Sequence, residues 1–558
     1  MYSKKVFLSM ILICFNGGGP VGAGHFYIAN GVAVQDSTSS AISSELRGLV
    51  TKGQFGDGLN SVGYREHVKR LYESTNFEPL WLKGDELTSQ AMDLVEALRR
   101  SRQKGLNPSD YGADNLATQT KALKGASAAT QASFDAALTL ATMRYVSDLR
   151  IGRINPEHLK FGIDVEAKKY DLPEFVGQKV AKAGDVQAVL NGIEPPYSGY
   201  RRIETTLKQY LDLAAKGDGE KVPAGAKTVA PGDAYAGTAP LAARLRLLGD
   251  LPAGRGFDSY NGALVEGVKH FQGRHGLAAD GKLDAATLRE LNTPLSARVQ
   301  EIDDALERWR WMPTEFKEPP VLVNIPEFRL RAYSGEQQLA LSMNVVVGKA
   351  APTKTPVFTD DIRFIVFRPY WNVPPGILRR SVIPGITKSS SYIAKERFEV
   401  TDSSGRLVSP SDDIVAGLRS GKYSIRQKPG PANALGLVKF MFPNTYSVYL
   451  HSTPSTELFS RSRRDFSSGC IRVEKPAELA SFLLRRQPNG AEWTVQRSQA
   501  AMDSGKDNQQ VNLAVKVPVL ILYVTAVAEE DGTIHFFDDI YGHDKRLNTL
   551  LAKGPPYP

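Results

Sequence analysis

The chain runs to 558 residues with 42% apolar side chains, enough for several hydrophobic cores and an expectation of roughly three to four domains. Its 69 Lys and Arg against 60 Asp and Glu leave a formal charge of +9. With no nucleic-acid-binding motif in view, that charge points to an acidic lipid surface or an anionic wall polymer. Two cysteines, Cys14 and Cys470, exclude a disulfide-stapled scaffold.

Lys4 and Lys5 precede the apolar run Val6 to Phe15 and then the small residues from Gly17 to Ala23. That order reads as a secretory signal peptide over 1–23. The run is too short to span a bilayer, and no later stretch reaches that length, so no stable membrane span is expected after cleavage. Cys14 leaves with the leader, and bulky Ile13 before it argues against lipidation. Cys470 is then the one thiol of an exported, periplasmic protein. Keeping a single thiol in an oxidising compartment suggests chemistry.

Residues 24–60, rich in Gly, Ser and Asn, read as a mobile arm. Over 61–215 the pattern is helical. Met92, Leu94, Val95, Leu98 and Leu106 mark one apolar face, and Ala136 to Leu149 forms a second strong helix. His67 and His158 are isolated. Residues 216–239 are a Gly/Pro/Ala-rich linker. The unit at 240–294 carries Phe271-Gln272, Gly276-Leu277, Asp280-Gly281, Thr287 and Leu291-Asn292, with Asp284 as a helix cap. In that ordered set it resembles the three-helix peptidoglycan-binding module.

A connecting helix is expected over 295–319, and strands dominate 320–530. Val321–Ile325, Arg329–Tyr333, Leu341–Val347, Arg363–Phe367, Tyr446–Leu450 and Val517–Val524 have β-branched or alternating character, with Gly335 breaking a hairpin. This texture suggests a sandwich or barrel. A Pro-rich segment over about 376–435, including a helical piece from Asp412 to Leu418, interrupts it. That insert is well placed to act as a lid. The remaining 531–558 reads as a C-terminal tail. Its His535 and His543, beside Asp538, Asp539 and Asp544, fit no standard zinc spacing and read as a surface turn.

His451 ends an apolar run, and Ser467-Ser468-Gly469-Cys470-Ile471-Arg472 follows after a loop. Cysteine with histidine is the minimal apparatus for acyl transfer. The second half resembles the YkuD-type L,D-transpeptidase catalytic domain, whose signature of histidine, Ser-x-Gly-Cys and a nearby arginine maps onto His451, Ser467, Gly469, Cys470 and Arg472. Arg368-Pro-Tyr370-Trp371-Asn372 and Arg426 to Asn444 also look like the large Gram-negative subgroup, which has a helical scaffold domain, a peptidoglycan-binding module and a capping insert. The departure is Ser468, which stands where many members carry a second histidine.

The implied fold is multidomain α+β: a helical scaffold domain, a small three-helix module and a mostly-β catalytic domain with a capping insert. The implied chemistry is attack by Cys470 on the third stem residue, a thioester, and resolution by a diaminopimelate amine to give a 3→3 cross-link. His451 is base and acid, and Arg472 and His451 are expected to depress the Cys470 pKa. Amides at Gly469 and Cys470 would face the oxyanion. Tyr370, Trp371, Asn372 and Tyr449 are candidate substrate contacts. Ser452 and Ser467 would orient His451 and the cysteine loop, and Arg461, Arg463 and Arg464 would attract an anionic stem. No metal or organic cofactor is expected; the partners are peptidoglycan stem peptides and other wall synthases. The rival readings are an L,D-carboxypeptidase with water as acceptor and a non-catalytic wall-binding protein.

Overall fold

The computed structural model describes residues 30–53, 55, 63–254, 256–409, 413–487 and 492–555, with side chains from Ser39 onward and without that of Glu336. The leader expected at 1–23 lies outside the described residues.

The first departure from expectation is at the N-terminus. Asn30–Lys52 is a helix rather than a mobile arm. Ile42, Leu46 and Val50, spaced by four, are all but fully buried in the helical core, against the long helix Ala128–Ile151. The Ser and Gly content hides a narrow apolar stripe, and burying that stripe outweighs weak helix propensity. Leu94, Val95, Leu98 and Leu106 enter the same core, whereas Met92 points outward at 54% exposure. Ala128–Ile151 is buried nearly all round because neighbouring helices cover it on every side.

The module consists of helices Thr238–Leu247, Gly262–Arg274 and Ala285–Leu291. Its motif residues are an internal frame. Phe271 is fully buried, and the Gln272 amide accepts from Gly281 N at 2.8 Å and donates to Lys282 O at 2.8 Å and Thr287 Oγ1 at 3.1 Å. Asp284 caps the third helix, accepting from Thr287 N at 2.8 Å.

The strand-rich region after residue 320 is built on one nine-stranded sheet. In chain order its strands are β1 Val321–Asn324, β2 Arg329–Tyr333, β3 Leu339–Gly348, β4 Phe358–Phe367, β5 Val438–Met441, β6 Leu450–His451, β7 Asp465–Ser467, β8 Ile471–Val473 and β9 Gln509–Leu522. The spatial order is β7-β3-β8-β6-β5-β4-β9-β1-β2, and β2 also pairs with β3, which closes the sheet into a barrel. Val323, Val345, Ile365, Phe440, Leu450, Ile471 and Ile521 fill its core. The strand expected over Tyr446–Leu450 shortens to Leu450–His451. Asn444 Oδ1 accepts from Tyr446 N at 3.0 Å and Val448 N at 3.2 Å, holding that approach in a turn with Ser447 at φ 56°.

The insert is a body with its own core. Trp371–Asn372, Phe398–Thr401 and Ser424–Gln427 form a separate three-stranded sheet, covered by Val382, Ile383, Ile414 and Leu418. Its last helix is Ile414–Ser420, and residues 410–412 lie outside the described residues. Asn433 anchors its exit. The buried amide donates to Pro369 O at 3.1 Å and Lys428 O at 3.0 Å and accepts from Leu435 N at 2.8 Å.

The tail expected at 531–558 is structural. Ala526–Ala528 pairs with Ile534–Phe536 and packs on helices Ser198–Lys216 and Leu295–Arg310, while Tyr541 and Leu547 join the barrel core. His543 does not sit in a surface turn; its ring stands edge-on to Phe161, Tyr523 and Tyr541 at centroid distances of 4.9, 4.7 and 5.9 Å. Asp544 beside it pairs with buried Arg308 at 2.5 Å.

Candidate active site

Strand register builds the site. β6 and β8 run parallel with Leu450 opposite Ile471 and His451 opposite Arg472. Leu450 and Ile471 face the core, so alternation puts Tyr449, His451, Cys470 and Arg472 together on the other face. The Tyr449 and His451 rings meet edge-on at 5.8 Å. Cys470 is half-buried, and its Sγ lies 3.8 Å from Ser447 O.

His451 is buried, with Nδ1 2.6 Å from Ser452 O. A carbonyl only accepts, so Nδ1 carries the proton and Nε2 keeps its lone pair. Burial and the Arg472 charge push the imidazole down to about 4, against the opposing pull of the Ser452 and Leu435 carbonyls. The depressed thiol expected for Cys470 is not found. Burial raises it, outweighing hydrogen bonding to Tyr449 and the Arg472 charge. The free site therefore holds a neutral thiol beside a neutral base.

The cysteine turn is braced from three directions. Ser467 Oγ donates to Cys470 O at 2.5 Å and accepts from Gly469 N at 3.1 Å. Gly469 has φ 120°, a conformation L side chains avoid, although a Cβ there would meet nothing closer than 3.9 Å. Thr355 Oγ1 donates to Gly469 O at 2.8 Å and Thr353 Oγ1 to Ser467 O at 3.1 Å. Tyr541 in turn holds this threonine loop, its hydroxyl accepting from Thr355 N at 3.2 Å and its carbonyl from Lys354 Nζ at 2.6 Å. Sequence reading missed Thr353, Thr355 and Tyr541. The only signal was a pair of alternating threonines after a strand, and Tyr541 comes from far along the chain.

Ser452 is buried; its Oγ accepts from Leu437 N at 2.7 Å and donates to Leu435 O at 3.3 Å, tying the His451 strand end to the run into β5. Gly436 at φ 63° lies against it, where a Cβ would come 2.0 Å from that hydroxyl. Ser468 is exposed in the turn. Tyr370, Trp371 and Asn372 belong to the insert. Tyr370 lies under the Arg426 guanidinium at 4.1 Å, Trp371 packs towards Phe398, and Asn372 is exposed on the first insert strand. Of the arginine cluster, Arg463 is paired with Asp465 at 2.8 Å and Arg464 donates to Phe328 O and Asn344 Oδ1. Arg461 lies over the Phe466 ring.

A cavity of about 840 Å³ lies elsewhere, lined by Tyr197, Trp309, Phe316, Arg331 and Glu529, and none of the expected site residues borders it. Among the described residues no group of three or more His, Cys, Asp or Glu could hold a metal ion. No helix there is long and apolar enough to cross a membrane.

Three family descriptions match this chain: "Scaffold domain" over residues 66–207, "Putative peptidoglycan binding domain" over 240–291 and "L,D-transpeptidase catalytic domain" (YkuD) over 319–511. A protein of Haemophilus influenzae named "Putative L,D-transpeptidase" is 35% identical over 229 residues, which cover 41% of this chain. The chain spans about 45% of that relative's length. The crystal structure of the L,D-transpeptidase (residues 123–326) from Xylanimonas cellulosilytica DSM 15894 is 12% identical with TM-score 0.16, covering 54% of this chain and 100% of that one. A superposition that loose says nothing about the fold. The three matched segments, in this order, classify the chain as a multidomain protein with a YkuD-type L,D-transpeptidase catalytic domain.

Proposed function

We propose that this chain, with its L,D-transpeptidase catalytic domain and its peptidoglycan binding domain, is a cysteine-dependent enzyme that forms 3→3 cross-links between peptidoglycan stems. The observation that carries the reading is the shared face of Tyr449, His451, Cys470 and Arg472, with the His451 tautomer set by Ser452 O. Peptidoglycan-directed domains fit an extracytoplasmic protein, and the leader-like residues 1–23 support export to the periplasm.

Substrate binding brings the scissile carbonyl to Cys470. The thiol proton passes to His451 Nε2 as sulfur attacks, which suits a neutral pair better than a standing ion pair. The Cys470 amide is the donor for the developing oxyanion, since the Gly469 amide expected beside it is already given to Ser467 Oγ. His451 then protonates the departing D-alanine amine, the C–N bond breaks and a thioester remains. The incoming diaminopimelate amine gives its proton to His451 and attacks; the new amide forms, the C–S bond breaks, and His451 returns the proton to sulfur. Muropeptide profiling of purified protein with tetrapeptide substrate tests this. Dimers with released D-alanine are expected; shortened tripeptides alone would indicate a carboxypeptidase, and unchanged substrate a binding protein.

A further inference from the structure

The row of residues across the site extends one strand beyond the cysteine–histidine motif. β5 runs antiparallel to β6 with Lys439 opposite His451, so Lys439, His451 and Arg472 stand side by side on one face. Neighbouring strands lie about 4.8 Å apart, so each cation sits one strand from the imidazole. Both are half-buried. Lys439 has no hydrogen-bond or ion-pair partner among the described residues, and burial alone accounts for the lowering of its pKa. Arg472 Nε is buried with no partner, and Glu457 is the carboxylate whose charge acts on this guanidinium, without a direct ion pair among the described residues. Both charges bear on His451. A half-buried lysine without a counterion, one strand from an arginine whose Nε is buried and unpartnered, is costly unless something anionic arrives between them.

We propose that Lys439 and Arg472 form a carboxylate subsite flanking His451, which holds the α-carboxylate of the amino acid whose amine His451 protonates or deprotonates. The inference rests on the transpeptidase reading above. Its logic is chemical. The leaving group is an α-amino acid, so its carboxylate is one carbon from the nitrogen that His451 protonates. The acceptor amine of diaminopimelate's D-centre also shares its carbon with a carboxylate. One subsite beside the imidazole therefore serves the departing and the incoming amino acid, and it orients each amine towards the same nitrogen. Lys439 offers a point charge and Arg472 a planar fork.

The test uses the full-length protein and two acyl donors, one ending in D-alanine with a free carboxylate and one ending in D-alaninamide. Wild type should prefer the carboxylate by about 10- to 100-fold in kcat/KM, the scale of a charge-assisted contact. Lys439→Met should erase most of that preference by losing rate on the acid and not on the amide, and Lys439→Arg should restore it. Alkylation of Cys470 by iodoacetamide, followed across pH, and the melting temperature check that the variant keeps its fold and thiol. Equal loss on both donors, or a wild type indifferent to the terminal charge, would overturn the subsite. A wild type that turns over neither donor would instead overturn the transpeptidase reading.

Discussion

At the residue scale burial keeps both members of the proposed Cys470–His451 pair neutral, and this has a measurable consequence. With His451 held down at about 4, its base form persists far below the roughly 6.5 of a free imidazole. The pH profile of kcat/KM should stay flat from neutrality down through pH 6 and fall only as pH approaches about 4. A half-loss near pH 6.5 would show that an unperturbed imidazole governs the rate. The same depression makes the unfolded chain bind a proton that the folded chain refuses. His451's share of stability is therefore full above the unfolded value and lost as pH falls towards 4. Ser467 offers a second check. Ser467→Ala removes the oxygen that bridges Gly469 N and Cys470 O, and should cost about 1–2 kcal/mol of stability together with much of the acylation rate. Unchanged stopped-flow acylation would show that the turn holds without it. Gly469→Ala should lose activity through its φ of 120° alone, because space for a Cβ is present.

Among elements, the helix Asn30–Lys52 is where sequence reading failed most plainly. Its stripe of Ile42, Leu46 and Val50 is legible at a spacing of four, but Ser, Gly and Thr around it mask the pattern. Deleting residues 24–52 should lower the melting temperature by several degrees, since each fully buried aliphatic side chain is worth about 1.5–3 kcal/mol. An unshifted transition by calorimetry would restore the mobile-arm reading. Five of the barrel strands were legible as β-branched or alternating runs, whereas the short strands Val438–Met441, Asp465–Ser467 and Ile471–Val473 were not read as strands. The turn before His451 was not legible, because the Asn444 side chain overrides an apolar run of strand-like residues. The insert's existence was visible in its prolines, whereas its separate core depends on residues far apart in sequence. Because that core is its own, excising the insert with a Gly/Ser bridge should leave the barrel folded. If it caps the site, the excision should also raise hydrolysed tripeptide relative to cross-linked dimer. An unchanged ratio in a folded variant would show that it does not gate water.

Across the whole molecule, the C-terminal segment ties the parts together. Phe536 stacks on His275 of the module at 5.6 Å, Arg289 reaches Asp538 at 3.4 Å, and Tyr541 braces the threonine loop behind Cys470. The module is thus docked against the catalytic region, an arrangement that no local pattern in 531–558 announces. The motif at 451–472 named the site's residues, but the neutral state of Cys470, the threonine brace and the Lys439 row come from burial and register, which a linear chain does not display. The central claim is that Cys470 carries the acyl group during peptidoglycan cross-linking. Intact-protein mass spectrometry during turnover of a tetrapeptide donor tests it most directly. Wild type should gain the mass of the donor less D-alanine, lose it when a diaminopimelate-containing acceptor is added, and yield dimer in step, while Cys470→Ala gains nothing. An adduct or dimer formed by Cys470→Ala, or dimer formed by wild type without any adduct on Cys470, would contradict the account.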